Sequence, residues 1–376
     1  MQHTTRAVFM RGGTSKALIF RAQDLPADRD ALFLAAMGSP DPDLRQLNGM
    51  GGGVSSLSKV CIVGPPSRPD ADVDYTFAQI GIDRPEVDYA GNCGNMSSAI
   101  GPFAVDEGLV PTPPDGEAAV RIHNTNTGKI IVARFPVRAG RAMVEGDLAI
   151  DGVAGTGAPI RLDFTDPGGS KTGRLLPSGS PTDLLEIPDH APIRASLVDA
   201  ANPCIFAAAA DLGLQGHELP AALDRNPALL ETLEALRRAA SVRMGLAPTL
   251  EAAARMASIP KVGLLSAPQD TALLSGRTLP ADQSDITARM ISVGQPHRAI
   301  PLTGALCLAV ACRIPGTTAH ALARPSDASA PLRIAHPSGT IMVAAQVQPD
   351  LTVPHATVFR TARRLFQGEV LWQPPS

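Results

Sequence analysis

Behind Thr303 the run Gly304-Ala305-Leu306-Cys307-Leu308-Ala309-Val310-Ala311-Cys312 carries no charged, amide or hydroxyl side chain. A helix that is apolar all round has no side to show to water, so it must be enclosed by other chain. About 20 residues are needed to cross a bilayer, so this segment is too short for that and reads as a core helix over 303–313. A second segment behaves alike. Met96, Ala99, Ile100, Phe103 and Ala104 recur at the spacing of one helix face, and Pro102 allows a kink among them. Two short enclosed helices, one per half, predict a duplicated α+β architecture, each copy a rolled, barrel-like sheet around one central helix. No strict short repeat is present, which excludes a solenoid.

The remaining chain fits that plan. Its 376 residues suffice for about two domains. β-Branched content and flanking breakers predict strands at Arg6 to Met10, Ala17 to Arg21, Val60 to Val63, Val73 to Ile82, Val120 to His123, Lys129 to Phe135 and Ala142 to Leu148. Asp28 to Met37 reads as a short helix stopped by Gly38-Ser39-Pro40. Asn226 and Pro227 form a cap and first-turn pair for a surface helix. Leu229, Leu230, Leu233 and Leu236 make its apolar face, and Glu231, Glu234, Arg237 and Arg238 its polar one. The densest breaker cluster, Pro177-Ser178-Gly179-Ser180-Pro181, sets the expected domain boundary, giving 1–182 and 183–354.

Charge and composition exclude several function classes. A net charge of −3, two tyrosines and one tryptophan leave neither a basic footprint nor a stacking platform for nucleic acid. No run of 18 apolar residues predicts a membrane span, and the first ten residues lack the apolar core of a signal peptide. Five widely spaced cysteines, an odd number in a long chain, argue against a disulfide framework, and reduced thiols in the cytoplasm are the expectation.

The chemistry concentrates at Gly91-Asn92-Cys93-Gly94-Asn95-Met96-Ser97. Cys93 stands where the second segment's helix begins, beside unpaired N–H groups and the positive end of the helix dipole. Such a place favours thiolates and attracts carboxylates. Lys59 closes the glycine-rich loop Asn48–Ser58, which offers backbone donors and hydroxyls. A lysine withdrawn from water there suits a proton-transfer base; the competing reading is a solvated surface residue. The loop is neither a P-loop nor a dinucleotide fingerprint, since Val54 stands where a third glycine belongs. Cys61, Cys307 and Cys312 sit in apolar runs and read as core, as does Cys204 on balance. No His-x-x-x-His or Cys-x-x-Cys spacing exists, so no metal site is expected. His297 and Arg298 precede the all-apolar helix, and Arg298 suits bidentate carboxylate pairing. Two helix starts with such flanks suit a substrate with two or three carboxylates.

An ordered set of motifs carries a resemblance over nearly the whole chain. It comprises Met10-Arg11-Gly12-Gly13-Thr14-Ser15-Lys16, Gly38-Ser39-Pro40-Asp41, Gly49-Met50-Gly51-Gly52, Ser58-Lys59, Val73-Asp74-Tyr75, Gly91-Asn92-Cys93-Gly94-Asn95 and His336-Pro337-Ser338-Gly339. The set resembles the 2-methylaconitate cis-trans isomerase family, whose relatives include 4-oxalomesaconate tautomerase and methylitaconate delta-isomerase. The chain departs from the usual family pattern at Asn48, where Asp is common, and at Ala17, where Gly is common. The resemblance implies the diaminopimelate epimerase-like fold, with the last strand, 355–376, returning to the first domain. It implies catalytic roles for Lys59 and Cys93 and no cofactor or metal.

Three functions follow. The first is a cofactor-independent isomerase or tautomerase that moves a proton across an allylic unit of an unsaturated di- or tricarboxylate. Ser15, Ser56, Asn92, Asn95, Ser178, Arg298 and Thr303 are its candidate substrate binders. Its partner is that small molecule, with no nucleic acid and no membrane, and a homodimer is compatible with it. The second is an amino-acid racemase or epimerase, which needs a second thiol, Cys204 or Cys307, facing Cys93. The third is a non-catalytic partner of an aconitase-like dehydratase.

Overall fold

A computed structural model describes residues 2–373 except 90, 91, 189, 257, 258, 293, 326, 328 and 329. Gly91, the first residue of the cysteine motif, therefore lies outside the described residues. The chain divides into two units, Met1–Asp163 with Phe359–Ser376, and Phe164–Val358.

The first unit opens with a hairpin of β1 (His3–Gly12) and β2 (Ser15–Arg21). Helix α1 (Arg29–Met37) follows, capped at its start by the Asp28 carboxylate and ended by Gly38 in the left-handed conformation. Gly38 frees the chain to turn where a side chain would meet the backbone of Asn48 and Gly49. β3 (Lys59–Gly64) then lies parallel to β2 and antiparallel to β4 (Val73–Ile80). Helix α2 (Gly94–Asp106) precedes β5 (Gly116–Asn124), which runs parallel to β4 and antiparallel to β6 (Lys129–Arg138).

Alternation along the strands decides what faces what. Val60 and Ile62 of β3 join Leu18, Phe20, Leu32, Phe33 and Met37 in one apolar cluster under α1. Period two therefore turns Lys59 and Cys61 to the opposite face of the sheet, toward α2. Every residue of α2 from Met96 to Val105 is buried, Pro102 included. At Gly101 a side chain would collide with Phe135 and Ala133 of β6, so the helix touches the sheet there through bare backbone.

The second unit repeats this order pairing by pairing. β7 (Ile193–Ala200) and β8 (Asn202–Ala208) form the hairpin. Helix α3 (Pro227–Arg243) comes next, capped by Asn226, and packs Leu229, Leu233 and Leu236 onto the outer face. β9 (Lys261–Ser266) is parallel to β8 and antiparallel to β10 (Ile286–Ser292). Helix α4 (Leu302–Ala311) precedes β11 (Leu332–His336), parallel to β10, and β12 (Gly339–Ala345), antiparallel to β11. β13 (His355–Arg360) pairs with β12, and the chain re-enters the first unit as β14 (Ala362–Trp372), antiparallel to β1.

Four expectations are corrected. The unit boundary falls at Asp163/Phe164, ahead of the Pro177–Pro181 cluster. The buried Asp199 carboxylate holds the segment before that cluster onto β7, accepting hydrogen bonds from Ser170 Oγ and from the amides of Lys171 and Thr172. Breakers so tied make turns inside a unit rather than a linker. The all-apolar helix begins one residue early and ends at Ala311, with Pro301 as its cap and Thr303 already inside it. No continuous strand spans Ala142 to Leu148; only Arg141–Ala142 and Leu148–Ala149 are strand. Between them Gly146 passes so close to the Ala158 main chain that no side chain fits. Arg237, expected on a solvated face, is 3% exposed, and its guanidinium donates to Glu234 and to the carbonyls of Ala253, Met256 and Ile259.

Candidate active site

The turn between β1 and β2 sits against the start of α2. Arg11 Nη1 donates to the carbonyls of Gly13 and Thr361, both at 2.9 Å, and so fixes the turn. Gly13 has φ +53°, and a side chain on it would strike the Asn95 amide. The glycine pair is thus demanded by close approach of the turn to the helix. Ser15, 3% exposed, then places its Oγ 3.9 Å from Cys93 Sγ. Asn95 Nδ2 donates to Thr14 Oγ1 at 3.1 Å, a second tie between turn and helix.

Cys93 is the cap residue of α2 and makes no side-chain cap bond. It is half-buried, whereas Cys61, Cys204, Cys307 and Cys312 are buried. Its carbonyl accepts from Ser97 N and Ser97 Oγ, which fastens the first turn. Asn92 Oδ1 accepts from Asn124 Nδ2 at 2.9 Å, which ties the motif to the end of β5.

Lys59 is the first residue of β3, not the tail of the loop, and it is 7% exposed. Its Nζ donates to Gln79 Oε1, the side chain opposite it on β4, and stands 4.9 Å from the Phe77 ring centroid. Gln79 Nε2 is itself spent on the carbonyls of Ser55 and Ser58. The amide therefore can only present its oxygen to the ammonium. Ser56 lies half-buried in the short 3-10 turn Ser55–Leu57 just ahead.

Cys61 links the two halves of this arrangement. It sits two residues along β3 from Lys59 and faces α2. Burial pushes its thiol far up; Cys93 adds to the rise, Tyr75 lowers it by a hydrogen bond, and Lys59 also opposes it. Lys59 and Cys93 thus both lie within electrostatic reach of one buried sulfur, on one face of the sheet. Ser15, Asn92 and Asn95 gather around Cys93, and Ser56 belongs to the Lys59 side.

The other three sequence candidates belong to the second unit. Ser178 Oγ accepts from Ser180 N at 3.2 Å and shapes a local turn. Arg298 is exposed, and its carbonyl accepts from Ser338 Oγ. Thr303 is half-buried in the first turn of α4. Among the described residues no group of three His, Cys, Asp or Glu side chains could hold a metal.

The description "PrpF protein" fits residues 2–373 of this chain. The chain belongs to the PrpF protein family. Among curated relatives, 3-methylitaconate isomerase of Eubacterium barkeri is 42% identical over 96% of each chain. The 2-methyl-aconitate isomerase of Shewanella oneidensis is 39% identical over 97% of this chain and 96% of that one. The (4E)-oxalomesaconate Delta-isomerase of a Novosphingobium strain is 40% identical over 96% of each. A solved methylitaconate-delta-isomerase superposes with a TM-score of 0.91 at 41% identity, over 99% of this chain and 96% of that one. A hydroxyproline epimerase from Agrobacterium vitis shares 11% identity at a TM-score of 0.50, over 98% and 92%, and so shares the fold alone. The fold is the diaminopimelate epimerase-like one.

Within this family frame the second thiol that a racemase needs is missing. The start of α4, which corresponds to Cys93 by chain order, is Pro301, and Cys204 and Cys307 are 0% exposed. Sequence reasoning also missed residues. Gln79 gives no motif signal and is found only through its register opposite Lys59. Gln46, 1% exposed, anchors the glycine-rich loop by donating to Ser58 Oγ and accepting from Gly53 N. Arg360, 9% exposed, donates from Nε to Asn95 Oδ1 at 3.0 Å. It closes β13, just ahead of the returning strand, and lies 265 positions from Asn95 in sequence.

Proposed function

We propose that this PrpF-family isomerase moves a proton across the allylic unit of an unsaturated di- or tricarboxylate of the 2-methylaconitate or 4-oxalomesaconate type. The observation that supports the reading is that buried Lys59, at the start of β3, and half-buried Cys93, at the open start of α2, both act electrostatically on the buried thiol of Cys61.

Lys59, as general base, takes a proton from the carbon vinylogous to a carboxylate or keto group. The C–H electron pair moves into the conjugated system, and negative charge collects on the carboxylate oxygens. Backbone N–H groups at the α2 start, with Ser15, Asn92 and Asn95, stabilise that charge where it develops. A proton is delivered to the far carbon, so the double bond shifts or changes geometry. Either Lys59 returns the one it took while Cys93 orients the substrate, or Cys93 gives its thiol proton and the thiolate then regains one from water as Lys59 releases its own to solvent. The fixed oxygen of Gln79 aims the lysine, and Phe77 shields one side of it from water. Ser56, Ser178, Arg298 and Thr303 are proposed as further substrate contacts. Five free thiols support a reducing, cytoplasmic setting.

The deciding experiment is a proton NMR time course in deuterated water with 2-methylaconitate, 4-oxalomesaconate and methylitaconate side by side. Deuterium entering one allylic carbon as the double bond moves identifies the substrate. No exchange with any of the three would remove the reading.

A further inference from the structure

Arg360 is a buried cation with no counter-ion among the described residues. Its guanidinium has five N–H donors. Nε donates to Asn95 Oδ1 at 3.0 Å and Nη1 to its own neighbour's carbonyl, Phe359 O, at 2.9 Å. Among the described residues no carboxylate pairs with it, although other arginines of this unit pair with Asp or Glu. Burial alone lowers its pKa to about 10. A desolvated guanidinium with donors left over is costly to hold unless an anion completes it.

The surroundings are built rather than incidental. Asn95 is the second residue of the 13-residue helix α2. Its amide is fixed at both ends, oxygen to Arg360 and nitrogen to Thr14. Gly13 leaves room for this pair, since a side chain there would collide with Asn95 and press on Arg360 Cδ at 3.2 Å. The cap residue Cys93 spends no side chain on the first N–H groups of the helix. A buried guanidinium unpaired with any carboxylate among the described residues and an open helix start therefore meet at one residue, Asn95, two positions from Cys93. Both features select the same ligand chemistry, a planar anion that accepts two hydrogen bonds.

We propose that Arg360, positioned by Asn95 at the start of α2, is a carboxylate-binding residue that seats one carboxylate of the polycarboxylate substrate beside Cys93. This rests on the isomerase reading above, so its test reads binding without turnover. The probe is propane-1,2,3-tricarboxylate, which has no double bond to shift. Its Kd is measured calorimetrically on the full chain carrying Lys59→Met, alone and combined with changes at the seat. Arg360→Met is expected to weaken binding about 10- to 100-fold, and Arg360→Lys by less, since a charge without the fork remains. Asn95→Asp places a carboxylate against the guanidinium, so it should keep the fold and still abolish binding. That variant decides the matter if Arg360→Met does not fold. Unchanged Kd in a folded Arg360→Met or Asn95→Asp protein overturns the proposal. So does a lower melting temperature with unaltered affinity, the mark of a purely structural arginine. Failure of the isomerase reading would show separately, as absent deuterium exchange in the unaltered protein.

Discussion

The two units share one strand order and each has a central helix, yet only in the first does a cysteine stand at the start of that helix. In both, a lysine opens the third strand and reaches the side chain across the pair. Lys59 donates to Gln79, and Lys261 donates to Ser292 Oγ at 2.8 Å. The helix starts then diverge: Cys93 in the first unit, Pro301 in the second. Cα partners of the lysines differ too, since Lys261 is paired with the buried Cys204 on β8. The two units thus have the lysine at the same station and differ in what stands around it. The fold supplies the position, and the neighbours decide the chemistry.

The largest expected effect tests this asymmetry directly. Lys59→Met should lower kcat by about 10²- to 10⁴-fold, the usual worth of a general base, and Lys261→Met by much less. Equal losses, read by NMR on the same substrate, would mean that both lysines transfer protons. Below that comes the feature both units share. Ile100→Ala in α2 and Leu306→Ala in α4 each remove a fully buried side chain. Each should cost about 2–5 kcal/mol in urea unfolding. A near-zero cost in one unit would show that its helix is not truly enclosed.

Thiol labelling sharpens the contrast without mutation. Native protein treated with iodoacetamide should lose Cys93 alone, because it is only half-buried while the other four are buried. Burial also pushes Cys312 up to about 12 and Cys307 well above the ordinary thiol range, which keeps both protonated and inert. Mass spectrometry after digestion reads the result, and labelling of Cys204 or Cys307 would reopen the two-thiol racemase.

The smallest effect concerns Lys261. Loss of water around it lowers its pKa from 10.5, and the neighbouring Cys204 only partly opposes this. Between its folded value and 10.5 the unfolded chain binds more proton than the native one, so stability rises with pH across that window. Denaturation midpoints measured upward from neutral pH should show this rise, and Lys261→Met should flatten it. A rise that survives the substitution assigns the linkage elsewhere.

Much of the fold was legible because burial writes itself into composition. Gly304–Cys312 has no polar side chain, and a helix of that kind has one solution, enclosure. Cys93 was readable for a related reason: glycine and asparagine ahead of an apolar run mark a helix start. The exact start of α4 was less legible, because it opens behind Pro301 at Leu302, with no side-chain cap to mark it. Arg237 misled, since helical spacing reports a face and cannot report that α3 ends against carbonyls which need its donors.

By itself the sequence determined the two core helices, the lysine and cysteine motifs and the family. These follow from local rules, periodicity, capping and motif order, which act over a few residues. Tertiary structure alone decided that Gln79 faces Lys59, that Asp199 gathers the breaker-rich loop into the second unit, and that Arg360 arrives at Asn95. Such contacts join residues 20, 28 and 265 positions apart. Strand register and chain return fix them, and neither leaves a trace in any short window of sequence.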